Sequence, residues 1–89
     1  MPAVSGEPWR VRLSPQASKT LAELPDHAAQ MVRDVLDLAV RSPWGFPQWN
    51  TSDPEGQDLR AAAVGQLSII YWINRPTLAL SVLDIVWLG

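Results

Sequence analysis

The sequence has 89 residues, with seven Lys and Arg against nine Asp and Glu, for a formal net charge of −2. That length supports a single small domain with one core, and a hydrophobic content of 47% with 18% charged residues excludes a disordered chain. The absence of cysteine excludes a disulfide scaffold, a zinc–thiolate site and a cysteine nucleophile. His27 is the only histidine, so a multi-histidine metal site is excluded and no cofactor or metal is expected. Residues 43–89 carry only Arg60 and Arg75 against Asp53, Glu55, Asp58 and Asp84. That acidic half lacks the basic excess with which proteins grip phosphates. The start, MPAVSGEPWR, has no basic region followed by an apolar run, and the longest apolar stretches are too short to span a bilayer. A cytoplasmic address and no membrane partner are expected.

Residues 1–8, with Pro2, Ser5 and Gly6, read as a loose tail before a single domain over 9–89. Trp9–Leu13 alternates with period two and predicts a half-buried strand. Its Trp9, Val11 and Leu13 face the core; Arg10 and Arg12 face solvent, a partner or a phosphate. Ser14-Pro15 reads as an N-cap followed by proline at the first helical position. Ala17, Leu21 and Leu24 recur at helical spacing, giving a helix from Pro15 to Leu24. Pro25-Asp26 breaks it and starts a second helix, with Ala28, Val32, Val35, Leu36 and Ala39 as its apolar stripe and Asp26, Gln30, Arg33, Asp37 and Arg41 opposite. Arg33/Asp37 and Asp37/Arg41 are spaced to pair at i,i+4. Two helices with so short a joint form an αα-hairpin.

Pro43 stops the second helix. Residues 42–56 (SPWGFPQWNTSDPEG) hold three prolines, two glycines and three aromatics, and form an irregular loop. Trp44, Phe46 and Trp49 in that loop either cover the core or offer a surface for a partner or for nucleobases. Asp58–Val64 is a weak, alanine-rich strand, Gly65-Gln66 a turn, and Leu67–Ile73 a strong strand rich in β-branched and aromatic residues. Asn74-Arg75-Pro76 makes a hairpin turn and Leu78–Val86 the last strand. The order is β-α-α-β-β-β, an α+β fold with a helical hairpin packed on a small antiparallel sheet.

Two segments carry a resemblance. WRVRLSPQASKTLAEL and DLRAAAVGQLSIIYWI, in this order and spacing, resemble the RelE/ParE superfamily of bacterial toxins; Arg60, Val64-Gly65, Ile69-Ile70 and Tyr71 fit its pattern, as does the apolar last strand SVLDIVWL. The resemblance implies the growth-inhibiting toxin component of a type II toxin–antitoxin module, partnered by a cognate antitoxin that wraps it with a helix and an extended segment. It implies either a metal-independent, ribosome-dependent mRNA endoribonuclease, or a non-catalytic ParE-like inhibitor of a protein target such as DNA gyrase. A homologue that only binds a partner is the third form. The departures fall on the ribonuclease site. Ser68 stands where an arginine is usual, and Trp87-Leu88-Gly89 stands where ribonuclease members begin a basic and aromatic cluster.

In an endoribonuclease Arg60 is the candidate catalytic residue, since a guanidinium stabilises charge on a pentavalent phosphorane. Its structural alternative is a strand-edge arginine paired with Asp58 or Glu55. Tyr71 is a weaker catalytic candidate and otherwise a core residue with its hydroxyl bonded at the rim. Arg10, Arg12, Trp44 and Trp49 are the candidates for binding a partner or nucleic acid. His27 and Arg75 read as exposed, and a general base would have to be a carboxylate such as Asp84 or Glu55. Five tryptophans in so short a chain point to apolar surface that awaits a partner.

Overall fold

The computed structural model describes residues 9–89, so the tail expected over 1–8 lies outside the described residues. Six elements follow in the order read from the sequence: β1 (Arg10–Leu13), α1 (Pro15–Glu23), α2 (Asp26–Arg41), β2 (Leu59–Val64), β3 (Leu67–Asn74) and β4 (Ala79–Trp87). The four strands form one sheet in the order β1-β4-β3-β2. β2–β3 and β3–β4 are antiparallel hairpins, but β1 runs parallel to β4, Arg10 beside Ala79 and Leu13 beside Val82. The sheet is therefore mixed, which corrects the expectation of antiparallel pairing throughout. Parallel partners need a long crossover, and here the whole body of the chain supplies it.

The local chemistry explains each boundary. Ser14 caps α1, its hydroxyl accepting from the Ala17 N–H at 3.0 Å, with proline at the first helical position. The same hydroxyl donates to the Leu83 carbonyl at 2.9 Å, and the Ser14 N–H donates to the Val82 carbonyl. Leu83 is the extra residue of a β-bulge, because Ile70 pairs with Asp84 while Tyr71 pairs with Val82. One serine thus starts the helix and fixes the bulge. In α2 the Asp37–Arg41 pair forms at 2.9 Å, while Arg33 turns to Gln30 rather than to Asp37.

β2 and β3 are joined by Gly65-Gln66. Gly65 lies at φ +59° and Gln66 does not share a positive φ, the pattern of a type II′ turn with glycine in its first central position. In the four-residue β3–β4 connection the positive φ falls on Leu78, at 53°.

Both helices pack on one face of the sheet. Ala17, Val32, Val35, Leu36 and Ala39 meet Leu67, Ile69, Tyr71 and Ile73 of β3 and Leu80, Val82 and Ile85 of β4. Each large side chain fully buried there contributes on the order of 1.5–3 kcal/mol. β1 departs from its expected burial. Register puts Val11 and Leu13 on the helix side beside Leu80 and Val82, yet both stay about a third exposed because β1 is an edge strand. No helix among the described residues is long and apolar enough to cross a membrane.

Candidate functional site

The sequence candidates divide between two faces of the sheet. Arg60 lies directly across from Tyr71, and cross-strand neighbours share a face, so both are on the helix side. Neither helix reaches the start of β2; the loop after α2 lies there instead. The Arg60 Nε donates to the Gln57 carbonyl at 2.8 Å and a terminal N–H donates to the Phe46 carbonyl at 3.0 Å. One guanidinium therefore ties the two ends of the loop together, and its partners are carbonyls rather than the carboxylates of Asp58 or Glu55. The loop also bridges to β2 at one point, Gln48 against Arg60, through Trp49 N–H to the Leu59 carbonyl and Ala61 N–H to the Pro47 carbonyl.

Tyr71 is fully buried. Its hydroxyl donates to the Pro43 carbonyl at 2.6 Å, and burial pushes its pKa up to about 12 despite the nearby Arg60 charge. It is a neutral donor that holds the start of the loop onto the core.

At the same end of the sheet Asp58 collects three hydrogen bonds. Arg75 grips it with two, both 2.9 Å, and the Trp44 indole N–H gives a third at 3.1 Å. The Arg75 bond is the main reason the carboxylate is held below its ordinary range, with partial burial working the other way. The Arg75 guanidinium also lies over the Trp44 ring, 4.8 Å from its centroid, and the Trp9 and Trp44 rings meet nearly perpendicular with their centroids 5.5 Å apart. Arg75, expected to be merely exposed, is thus half of an ion pair and a cation–π contact. Trp44 is docked, Phe46 packs on the core, and Trp49 is 58% exposed. His27 is exposed and touches the Trp87 ring edge-on.

The other face has no helix on it among the described residues. Register gives it Arg12, Ser81, Trp72 and Leu59 in one row, Asp84, Ile70 and Ala61 in the next, then Val86, Ser68 and Ala63. Arg10 stands beside Arg12 on the same side of β1. Trp72 and Val86 are 44% and 36% exposed. Ser68, where the resembled family places an arginine, sits between Ala63 and Val86. Asp84 is half-buried and accepts from the Ile85 N–H. Sequence reading missed Trp72 as a surface residue. The signal was present in the alternation of LSIIYWI, which sets Ser68, Ile70 and Trp72 opposite to Leu67, Ile69, Tyr71 and Ile73. Among the described residues no three acidic or histidine side chains gather in a way suited to a metal ion.

Comparison with solved structures establishes the class of fold. The E. coli RelBE toxin–antitoxin complex contains a chain that superposes at a TM-score of 0.74 with 12% identity, covering 90% of this chain and 96% of that one. A chain of the RelBE2 complex of Mycobacterium tuberculosis gives 0.69 at 23% identity over 90% and 98%. The archaeal RelE–RelB complex of Pyrococcus horikoshii gives 0.66 at 21% identity over 91% and 96%. The chain has the RelE-like α+β fold over nearly its whole length. No protein-family model matches the sequence, and no curated protein does.

Proposed function

We propose that this chain is a RelE-like toxin subunit of a type II toxin–antitoxin pair, and that it acts by binding a protein target rather than by cutting RNA. The observation that carries the toxin reading is the match, over 90–91% of this chain, to chains from toxin–antitoxin complexes. The preference for binding over cleavage rests on where the candidate residues lie. Arg60 is committed to two loop carbonyls on the helix side, and Tyr71 is buried with its hydroxyl engaged. On the open face Ser68 and its neighbours supply no cation for a developing phosphorane charge. Among the described residues the only guanidiniums on that face belong to Arg10 and Arg12, at its far edge. An acidic chain also lacks the long-range attraction that ribosomal RNA rewards, whereas a protein target such as DNA gyrase makes no such demand.

The test is a translating mixture of ribosomes and a defined mRNA, with the full chain added and the mRNA ends mapped over a range of salt. Intact mRNA at every salt concentration is the expected result. New ends within codons that disappear when Arg60 is replaced by alanine would make the chain an endoribonuclease and Arg60 its cation.

A further inference from the structure

We propose that two copies of this chain associate face to face through the open side of the sheet, in a weak two-fold dimer. Arg10 and Arg12 of each copy meet Trp49, Asp53 and Glu55 of the other, and Trp72 lies at the axis. The association depends on the folded surface alone and holds whatever target the chain has.

The row of side chains across the open face extends past the four strands. Gln48 lies opposite Arg60 where the loop bridges to β2, so Gln48 shares the helix side. Trp49, the next residue, falls on the open side across from Leu59, and its N–H bond to the Leu59 carbonyl holds it there. The full row is then Trp49, Leu59, Trp72, Ser81 and Arg12, with Trp49 58% and Trp72 44% exposed.

The two ends of this row carry opposite charge. Arg12 stands at the β1 end, with Arg10 two residues beyond it. At the other end the chain turns back from Trp49 to Leu59 through residues 50–58, and that turn carries Asp53 and Glu55, both exposed. Arg10 pairs with Ala79 and Ala79 with Asn74, two residues beyond Trp72 on the side where β2 begins. Arg10 and the acidic turn are therefore at the same end of the strands. Among the described residues Arg10 and Arg12 have no side-chain partner, and Asp53 and Glu55 have no cation. Every other arginine is engaged: Arg33 with Gln30, Arg41 with Asp37, Arg60 with two carbonyls and Arg75 with Asp58.

Such a row is complementary to itself. β3 lies midway between β1 and the loop, so a two-fold axis parallel to the strands and passing over β3 exchanges the two ends. It places Trp72 on Trp72 and, one row along, Ile70 on Ile70. Each Arg12 then lies over the other copy's Trp49, and each Arg10 reaches the other copy's carboxylates. The cation–π contact and the ion pairs form twice, as an isologous interface requires. Facing sheets pack about 10 Å apart with their strands roughly aligned, which leaves room for both layers of side chains.

The size of the patch sets the strength. Five chain segments about 4.8 Å apart, over about six residues of about 3.3 Å rise, give a footprint of roughly 19 by 20 Å, at the small end of protein–protein interfaces. Asp84, half-buried, comes to face Ala61 of the other copy with no cation near it, which is a further cost. A dissociation constant on the order of 100 µM is the result. Pairing of two copies along the β2 edge is the rival geometry. The loop already bonds that edge at Leu59 and Ala61, which leaves only Ala63 and the turn after it.

The test follows the full chain by sedimentation velocity and amide NMR from about 10 µM to about 1 mM. The sedimentation coefficient is expected to rise with concentration. Dilution is expected to shift Arg12, Ile70 and Trp72 and the Trp49 and Trp72 indoles, leaving α2 unmoved. Two charge-reversed variants, Arg10→Glu with Arg12→Glu and Asp53→Lys with Glu55→Lys, are each expected to dimerise about tenfold more weakly or worse. Mixed in equal amounts they are expected to regain the parent's association, because both ends are complementary in the mixed pair alone. Asp84→Asn is expected to tighten the parent dimer. Circular dichroism checks the fold of each variant, and the parent's dilution shifts decide the matter if a variant does not fold. A parent that stays monomeric to about 1 mM, dilution shifts confined to the helices or to residues 61–65, or a mixture that associates no better than its components would overturn the proposal.

Discussion

Replacing Arg60 separates a structural role from a chemical one. In Arg60→Ala the Gln57 and Phe46 carbonyls both lose a charged donor. A hydrogen bond to a charged group contributes about 1.5–3 kcal/mol when buried. Arg60 is only partly buried, so water replaces much of each bond, and a total loss of about 1–2 kcal/mol is expected. For a domain of this size each kcal/mol lowers Tm by about 4–8 °C, which gives a fall of roughly 5–15 °C. Arg60→Lys is expected to recover less than half, because one ammonium on a flexible stem does not bridge two carbonyls as a guanidinium fork does. Urea denaturation followed by tryptophan fluorescence reads both the stability and the loop, since Trp44 and Trp49 lie within it. Alanine at 60 leaving stability within about 0.5 kcal/mol of the parent, the range of a neutral surface change, would refute the clamp and return Arg60 to the list of residues that touch a target.

The remaining expectations concern the same loop and the turns. Tyr71→Phe leaves the Pro43 carbonyl without its donor in a buried place and is expected to cost about 1–3 kcal/mol by urea titration. In the parent, the folded Tyr71 keeps its proton up to about 12 while the unfolded tyrosine loses it near 10.0. Its contribution is therefore full below pH 10.0 and is lost as pH rises towards 12; a Tyr71→Phe variant lacks that alkaline fall. Asp58 has the opposite sign: its folded pKa lies below the ordinary value of 3.8, so its support is present above that pH and is lost as acid protonates it. Asp58→Asn should flatten the acid limb of a stability–pH curve and release Trp44, seen as a change in near-ultraviolet dichroism. Gly65→Ala adds a Cβ that meets no atom within 4 Å but sits at φ +59°, so conformation alone costs about 1–2 kcal/mol, and Gly65→Asn is expected to cost less.

Much of this fold was legible because local signals agreed with one another. Ser14-Pro15 marked the start of α1, Pro25 the joint, and the stripe from Ala28 to Ala39 the buried side of α2. The run LSIIYWI named the central strand and, through its alternation, both of its faces. The parallel pairing of β1 was not legible, since a four-residue strand carries no record of a partner almost seventy residues away. The bulge at Leu83 was also hidden, because it answers to the hydroxyl of Ser14 and not to any turn residue near it. The site was read less well for a related reason. Arg60 drew attention because it fits the pattern of the resembled family, but its partners are backbone carbonyls of an irregular loop, and no side-chain pattern announces those. Arg10 and Arg12 were read as outward-facing, and they are. Their value as a pair came only with the sheet order, which sets them at the edge of a face that carries no helix among the described residues.

The most direct measurement is bacterial growth after induction of the full chain alone, beside an Arg60→Ala variant brought to the same folded level. Arrest by the parent, with equal arrest by the variant at the matched folded level, is the expected result and fits a toxin that works by binding. Unimpaired growth at high levels of folded parent would contradict the toxin reading itself.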